Sequence, residues 1–215
     1  MHRSLIERRS GNDRDAIAAH EAEVVGKPQR VAPIAAADLS DEALGVINHI
    51  RASIGAGPAD RTEVPSYFLT MVKHPVMFRH QLEMGASIFM GSFPAREREL
   101  AVLRIAWLLR APYEWGEHVE MGKTVGVTPE EIERVIDGAD APGWSERDRT
   151  ILRAVEELLT EQMLSDALWA QLAKDFDEPQ LIEFLTIISQ YTATALLQNA
   201  LRVRLERGNR GMTHR

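Results

Sequence analysis

The amino-acid sequence predicts an all-α protein of about eight helices without a sheet. Apolar residues recur at helical spacing almost throughout the chain after residue 31, and no segment alternates strictly between apolar and polar residues. Proline and glycine divide this pattern into segments of helix length. The 215 residues, of which 45% are apolar and 27% are charged, are sufficient for one domain with a hydrophobic core.

The first predicted helices are separated by proline and glycine. Ser40 provides a cap for a helix that extends to about Arg51, and a segment containing glycine and proline ends it. Pro65 and Pro75 enclose a short helix, and a longer one follows from Pro75 to about Met90.

The next predicted helix, from about Ala95 to Arg110, is the most apolar of the chain. Its apolar residues surround the helix axis, and a helix of this kind is normally central. Pro112 disfavours helical structure at Ala111 and suits the first position of a new helix, which we expect to reach about residue 125.

Four more helices complete the predicted domain. Threonine and serine caps open helices over about 128–137, 145–162 and 165–174, and the last helix follows a proline at residue 179. The uncharged run over 184–201 has the length of a membrane span. It contains too many polar residues for exposure to lipid, so we expect a buried helix and no membrane partner.

The chain divides into three predicted regions. Residues 1–30 mix charge and alanine with little periodicity, which predicts a mobile N-terminal arm. Residues 31–206 form the single helical domain, and residues 207–215 form a basic, solvated tail.

Composition excludes several classes of function. The chain has no cysteine, which excludes disulfides, thiolate nucleophiles and cysteine-ligated metal centres. A net charge of −7 disfavours nucleic acid as a partner. The N-terminal residues contain no apolar stretch of the kind found in secretion signals, which predicts a cytoplasmic protein.

Candidate catalytic residues lie on the two central helices. Glu114 and His118 are four residues apart and share a helix face, an arrangement that can relay a proton but that also occurs in ordinary surface pairs. Glu99 lies near the start of the apolar helix, where a glutamate is also stabilised by the helix dipole. A metal site formed by the same three residues is a further alternative, although the sequence contains no H-E-x-x-H motif.

Several other residues are candidates for lining a pocket. Tyr113, Trp115 and Tyr191 have this potential, although aromatic residues at helical spacing also form cores. His80 lies on an amphipathic helix from which it can reach a cleft.

Residues 96–132, with the sequence RERELAVLRIAWLLRAPYEWGEHVEMGKTVGVTPEEI, resemble the carboxymuconolactone decarboxylase family with its AhpD-like fold. The resemblance continues in WSERDRTILRAVEELL (144–159), LIEFLTIISQY (181–191) and VKHPVMFRH (72–80), and it covers about residues 31–206.

The resemblance assigns positions within this motif. In AhpD-like peroxidases a C-x-x-C pair precedes a histidine, and a glutamate on the preceding helix completes a proton relay. Here Ala111 and Glu114 stand in the places of the two cysteines, His118 in that of the histidine and Glu99 in that of the relay glutamate. Without sulfur, thiol peroxidase chemistry is excluded, and the pattern resembles the decarboxylase-type branch.

That branch implies a cofactor-free lyase that uses no metal and releases CO2 from a small acidic substrate, a carboxylated lactone of aromatic catabolism. By this resemblance, His118 is the acid–base group, Glu114 orients it and Glu99 is the second proton carrier. The substrate pocket would include Tyr113, Trp115, His80 and Tyr191.

The resemblance also implies a homo-oligomer, either a trimer or a hexamer. Two other functions remain open: a relative that has lost or changed its activity and binds a small ligand or serves as an assembly subunit, and a metal-assisted hydrolase or isomerase.

Overall fold

The structure is a computed structural model that describes residues 14–53 and 55–215. These residues contain no β-strand, and the all-α prediction is confirmed. They form ten α-helices: α1 (Arg14–Val24), α2 (Asp41–Ser53), α3 (Ser66–Met71), α4 (Pro75–Met90), α5 (Ala95–Leu108), α6 (Pro112–Thr124), α7 (Pro129–Asp137), α8 (Glu146–Glu161), α9 (Asp166–Asp175) and α10 (Glu178–Leu201).

Helix α5 lies at the centre of the fold, as its apolar surface predicts. Ten of its fourteen residues are buried. Leu100 and Leu103 pack with residues of α6 and α7. Val102 and Ile105 pack with residues of α8, α9 and α10. Apolar partners lie on opposite sides of α5. Its apolar residues are therefore distributed around the helix and do not form a single apolar face.

The connection between α5 and α6 brings these two helices together. Arg110 adopts a left-handed conformation with φ of 51°, which reverses the chain direction. The backbone N–H of Ala111 donates to the carbonyl of Ala106 at 2.9 Å and closes the end of α5. Pro112 then occupies the first turn of α6, where its missing N–H costs no helical hydrogen bond.

Helices α2, α3 and α4 form a separate layer beside the central helices. Buried residues of this layer and its connecting segments include Leu39, Ile47, Val64, Phe78 and Leu82. This layer provides one wall of the cavity described below.

The long helix α10 crosses the protein next to α5 and α6. Its residues Phe184 and Ile187 are fully buried in the protein core. Among the helices of the described ranges, none combines the length and apolar character needed to cross a membrane. The uncharged run in α10 therefore belongs to a helix that packs within the protein.

The N-terminal region differs from the predicted mobile arm over its described part. Residues 14–24 form helix α1, and Ile17 is buried in the cluster around α5. Residues 1–13 lie outside the described part of the chain. Only Ile17 and Val24 of α1 are buried. A helix that buries so few residues needs little apolar periodicity, so the sequence does not indicate this packing.

The C-terminal residues also pack against the domain. Met212 and His214 are buried, and the carbonyl of His214 accepts a hydrogen bond from the indole of Trp115 at 3.0 Å. The tail thus provides the partner that a buried indole N–H requires. The domain boundaries at residues 30 and 206 remain predictions.

We expect Leu103→Ala to destabilise the fold by about 2–5 kcal/mol, because it leaves a cavity in a fully buried part of α5. The free energy of unfolding in urea measures this loss. Leu196→Ala, at a side chain that is 54% exposed on α10, is the matched control and should change stability by about 0.5 kcal/mol or less. Equal effects of the two substitutions would contradict the central position of α5.

Candidate active site

The three predicted catalytic residues form a continuous chain of contacts between α5 and α6. His118 Nδ1 lies 2.7 Å from Oε2 of Glu99, and His118 Nε2 lies 3.3 Å from Oε1 of Glu114. All three side chains are buried, and Glu99 has no exposed surface. The pair Glu114–His118 is therefore not an exposed surface pair of the i,i+4 type.

Arg98 holds the Glu99 end of this chain. Its Nε atom donates to Oε1 of Glu99 at 3.0 Å, and its guanidinium lies 4.3 Å from the ring centre of Phe89. Arg98 is itself only 5% exposed. Glu99 thus accepts hydrogen bonds from a cation at each of its two oxygens, which compensates for the loss of hydration.

The carboxylates of Glu99 and Glu114 determine the protonation state of His118. Burial lowers the pKa of His118, but the attraction of Glu99 and the hydrogen bonds with Glu114 and Glu99 outweigh it and raise the pKa to about 10. Burial raises the pKa of Glu99, and the attraction of His118 and Arg98 reverses this effect and lowers it. At neutral pH the pair is an imidazolium next to a carboxylate.

A cavity of about 400 Å³ adjoins this chain of residues. Helices α2, α3, α4, α6 and α10 and the segment between α2 and α3 surround it. Both Glu114 and His118 contribute to its wall, whereas Glu99 lies behind them. Most of the remaining wall is apolar and includes Ile47, Val64, Phe68, Phe78, Leu82, Ile88, Phe89 and Met121.

The geometry makes Glu114 the group that meets a molecule in the cavity. Both ring nitrogens of His118 are already directed at carboxylates. A proton can pass from His118 Nε2 to Glu114 and from there to a bound molecule, with Glu99 holding the imidazolium from behind. The sequence-based assignment of His118 as the acid–base group, oriented by Glu114, stays a prediction.

Two of the predicted pocket residues line the cavity. The ring of Tyr191 meets the ring of His118 edge-on, with 4.9 Å between the ring centres. Burial raises the pKa of Tyr191, so its hydroxyl remains protonated. Tyr113 also lines the cavity, and its hydroxyl donates to the carboxylate of Glu206 at 3.0 Å.

The other two predicted pocket residues lie elsewhere. Trp115 is fully buried in the core next to Trp107, with 5.0 Å between the ring centres, and it does not contribute to the cavity wall. His80 lies on the surface of α4, where its imidazole is 3.6 Å from the carboxylate of Glu83 and its side chain is 68% exposed. Spacing along a helix does not show which face meets the cavity, which is why the sequence did not separate these residues from Tyr113 and Tyr191.

The sequence analysis did not identify several polar residues of the cavity. Tyr67, Gln81, Thr194 and Gln198 all contribute to its wall. Gln190, Thr194 and Gln198 recur at intervals of four residues in the uncharged run of α10, and this spacing is a signal that could have found the last two. Nothing in the local sequence distinguishes Tyr67 or Gln81.

A metal site formed by Glu99, Glu114 and His118 is the alternative that the sequence leaves open. Over residues 14–53 and 55–215, no group of three or more histidine, aspartate and glutamate side chains has an arrangement that could hold a metal ion. In the chain of Glu99, His118 and Glu114 the imidazole lies between the two carboxylates.

Residues 75–157, from α4 into α8, match the model of the carboxymuconolactone decarboxylase family. The matched segment contains Glu99, Glu114 and His118, and the resemblance predicted from the sequence is confirmed over these residues. Among curated proteins, none matches this sequence.

Solved structures share the fold. An AhpD core, a peroxidase-related protein from Ralstonia eutropha JMP134, is 18% identical, with a TM-score of 0.69 over 84% of this chain and 94% of that chain. A peroxidase-related protein from Silicibacter sp. TM1040 is 13% identical, with a TM-score of 0.69 over 85% of this chain and 94% of that chain.

A third structure is that of the debrominase Bmp8, as a cysteine-to-alanine variant in complex with 2,3,4-tribromopyrrole. It is 18% identical, with a TM-score of 0.66 over 83% of this chain and 92% of that chain. At these identities the likeness shows the AhpD-like fold, which different reactions can share.

The raised pKa of His118 predicts that its imidazole stays protonated at pH 8, where a free histidine with a pKa of about 6.5 is neutral. The ring ¹⁵N chemical shifts of His118, measured between pH 5 and pH 11, report its protonation, with free imidazole as the reference. Because the pKa is higher in the folded state, His118 stabilises the fold fully below about pH 6.5, and this contribution disappears as the pH rises through about 10. A neutral ring at pH 8 would contradict the assigned ion pair.

Proposed function

We propose that this protein is a cofactor-independent carboxy-lyase that acts on a small carboxylated lactone or a similar enolisable acid. The observation that carries this proposal is the buried chain of Glu99, His118 and Glu114, which ends at the wall of the cavity. Membership of the segment 75–157 in the carboxymuconolactone decarboxylase family supports the same class of reaction.

Decarboxylation requires a proton donor next to the carbon atom that loses CO2. In this site the donor would be the imidazolium of His118, acting through Glu114. When the bond between a carbon atom and its carboxylate breaks, CO2 leaves and the electron pair stays on the carbon, where conjugation with a carbonyl spreads it. That carbon must then receive a proton. The imidazolium of His118 supplies it through Glu114, and the relay takes up a new proton from solvent.

The cavity wall contains acidic residues, Glu63, Glu114 and Glu117, as well as the cations Arg51 and His118. Arg51 on α2 contributes a cation to the wall, and we assign it to the substrate carboxylate. Glu114 would repel a carboxylate on its own. Its contact with the His118 imidazolium offsets this repulsion in the same place.

Thiol chemistry does not compete with this proposal for the present chain. The peroxidase-related neighbours share the fold, but here Ala111 and Glu114 stand where a C-x-x-C pair is expected from the resemblance. No residue of the chain can form a sulfenic acid or a disulfide.

Replacement of the group that meets the substrate gives a direct test. Glu114→Gln keeps the size and polarity of the side chain but cannot carry a proton, and we expect kcat for CO2 release from a carboxymuconolactone to fall by about 10²- to 10⁴-fold. Glu120→Gln is the matched control on the same helix, because the Glu120 carboxylate lies outside the cavity, paired with Lys123 and His214. Its activity should equal that of the wild type.

Retention of activity in Glu114→Gln would show that the proton does not pass through this residue. Absence of CO2 release from every carboxylated lactone and β-keto acid offered to the wild type would reject the lyase proposal itself.

The predicted homo-oligomer is part of the proposal, and an exposed apolar patch supports it. Met84 on α4 and Ile182 on α10 border a shallow depression, and their side chains are 40% and 67% exposed. Exposed apolar patches of this kind commonly mark protein interfaces.

Light scattering during size-exclusion chromatography should therefore give a native mass of three or six chains. We expect Ile182→Arg to reduce this mass, because the substitution places a charge in the patch, whereas Lys174→Arg on α9 should leave it unchanged. A single-chain mass for the wild type would contradict the oligomer.

A further inference from the structure

Helix α10 presents a line of uncharged polar side chains to the cavity. Gln190, Thr194 and Gln198 follow one another at intervals of four residues and all contribute to the cavity wall. This spacing places them on one face of the helix. We call these three residues the polar stripe.

Gln198 is the residue of the polar stripe whose side-chain oxygen is buried without a hydrogen-bond partner among the described residues. It is 3% exposed, and its Oε1 atom is buried without a partner among the described residues. A buried acceptor without a donor is unfavourable by more than an ordinary hydrogen bond contributes. Because the terminal torsion of a glutamine amide is soft, the oxygen can turn towards a donor in the cavity.

The neighbouring polar groups of the cavity are already engaged. Gln81 on α4 donates from Nε2 to the hydroxyl of Tyr67, and the same atom lies 3.4 Å from Oγ1 of Thr194. The hydroxyl of Tyr113 donates to Glu206. The Oε1 atom of Gln198 differs from these groups, because a donor on a bound molecule would be its first hydrogen-bond partner.

The wall formed by α2 and α4 is mostly apolar. Ile47, Phe78, Leu82 and Ile88 belong to it, and its polar residues are Arg51 and Gln81. A molecule that satisfies both sides has an apolar ring against α2 and α4 and a polar edge along α10. A hydroxyl group on the ring suits an amide because both groups donate and accept hydrogen bonds.

We propose that Gln198 determines specificity by accepting a hydrogen bond from a ring hydroxyl of the substrate, so that the substrate class is a hydroxylated ring compound. This inference rests on the proposed function for the reaction but concerns binding alone. Among the carboxylated lactones and related acids, it favours those whose ring carries a hydroxyl or enol hydroxyl.

Two probes of which only one carries a hydrogen-bond donor test this proposal. By isothermal titration calorimetry, we expect 2-naphthol to bind the wild-type protein about tenfold more tightly than its methyl ether, 2-methoxynaphthalene, which has the same ring but no donor. Gln198→Met, of similar size and without an acceptor amide, should abolish this preference. Gln198→Glu, which retains an acceptor oxygen, should restore it.

Thr192→Val is the matched control. Thr192 also lies on α10 and its Oγ1 atom is also buried without a partner among the described residues, but it does not contribute to the cavity wall. Its substitution should leave the preference for 2-naphthol unchanged. Thermal unfolding of each variant shows whether it is folded at the temperature of the titration.

Three outcomes would overturn the proposal: equal binding of the two probes by the wild type, an unchanged preference in folded Gln198→Met, or no binding of either probe. The proposed reaction is tested separately by Glu114→Gln. A wild type that prefers 2-naphthol but releases no CO2 would support the role of Gln198 and reject the lyase. A wild type that releases CO2 without preferring 2-naphthol would support the lyase and reject the role of Gln198.

Discussion

The buried carboxylate of Glu99 is the constraint on which the centre of this structure depends. A carboxylate without exposure to water is unfavourable unless cations and hydrogen-bond donors surround it. Arg98 provides one cation from α5, and His118 provides the other from α6. Helices α5 and α6 must therefore lie in contact where Glu99 faces His118. The left-handed conformation of Arg110 reverses the chain direction and allows this contact within a short connection. In pairs of this kind, loss of one partner typically costs about 3–5 kcal/mol.

The same ion pair prepares the site for proton transfer. Glu99 holds His118 in its charged form, and Glu114 connects the imidazolium to the cavity. The layer formed by α2 to α4 contributes most of the apolar side chains of the cavity wall beside these charges. The central helices therefore supply the acid–base groups, and the surrounding layer and α10 supply the shape and polarity of the space in front of them.

The absence of cysteine has its main consequence at the start of α6. Structures of peroxidase-related proteins and of a debrominase share this fold, so the arrangement of helices alone does not select a reaction. In this chain Glu114 occupies the position where the resemblance places a cysteine, directly beside the retained histidine. The residue at this position is therefore a carboxylate, which cannot carry out thiol redox chemistry.

The sequence by itself determined the helical class, the approximate bounds of most helices and the trio of Glu99, Glu114 and His118, because helical periodicity, caps and i,i+4 spacing are local properties. Tertiary structure alone decided that Glu114 meets the cavity, that Trp115 and His80 do not, and that Gln198 lies in its wall without a partner. It also decided that Ile17 and Met212 pack against the domain. These placements depend on contacts between residues far apart in the chain, which local patterns do not encode.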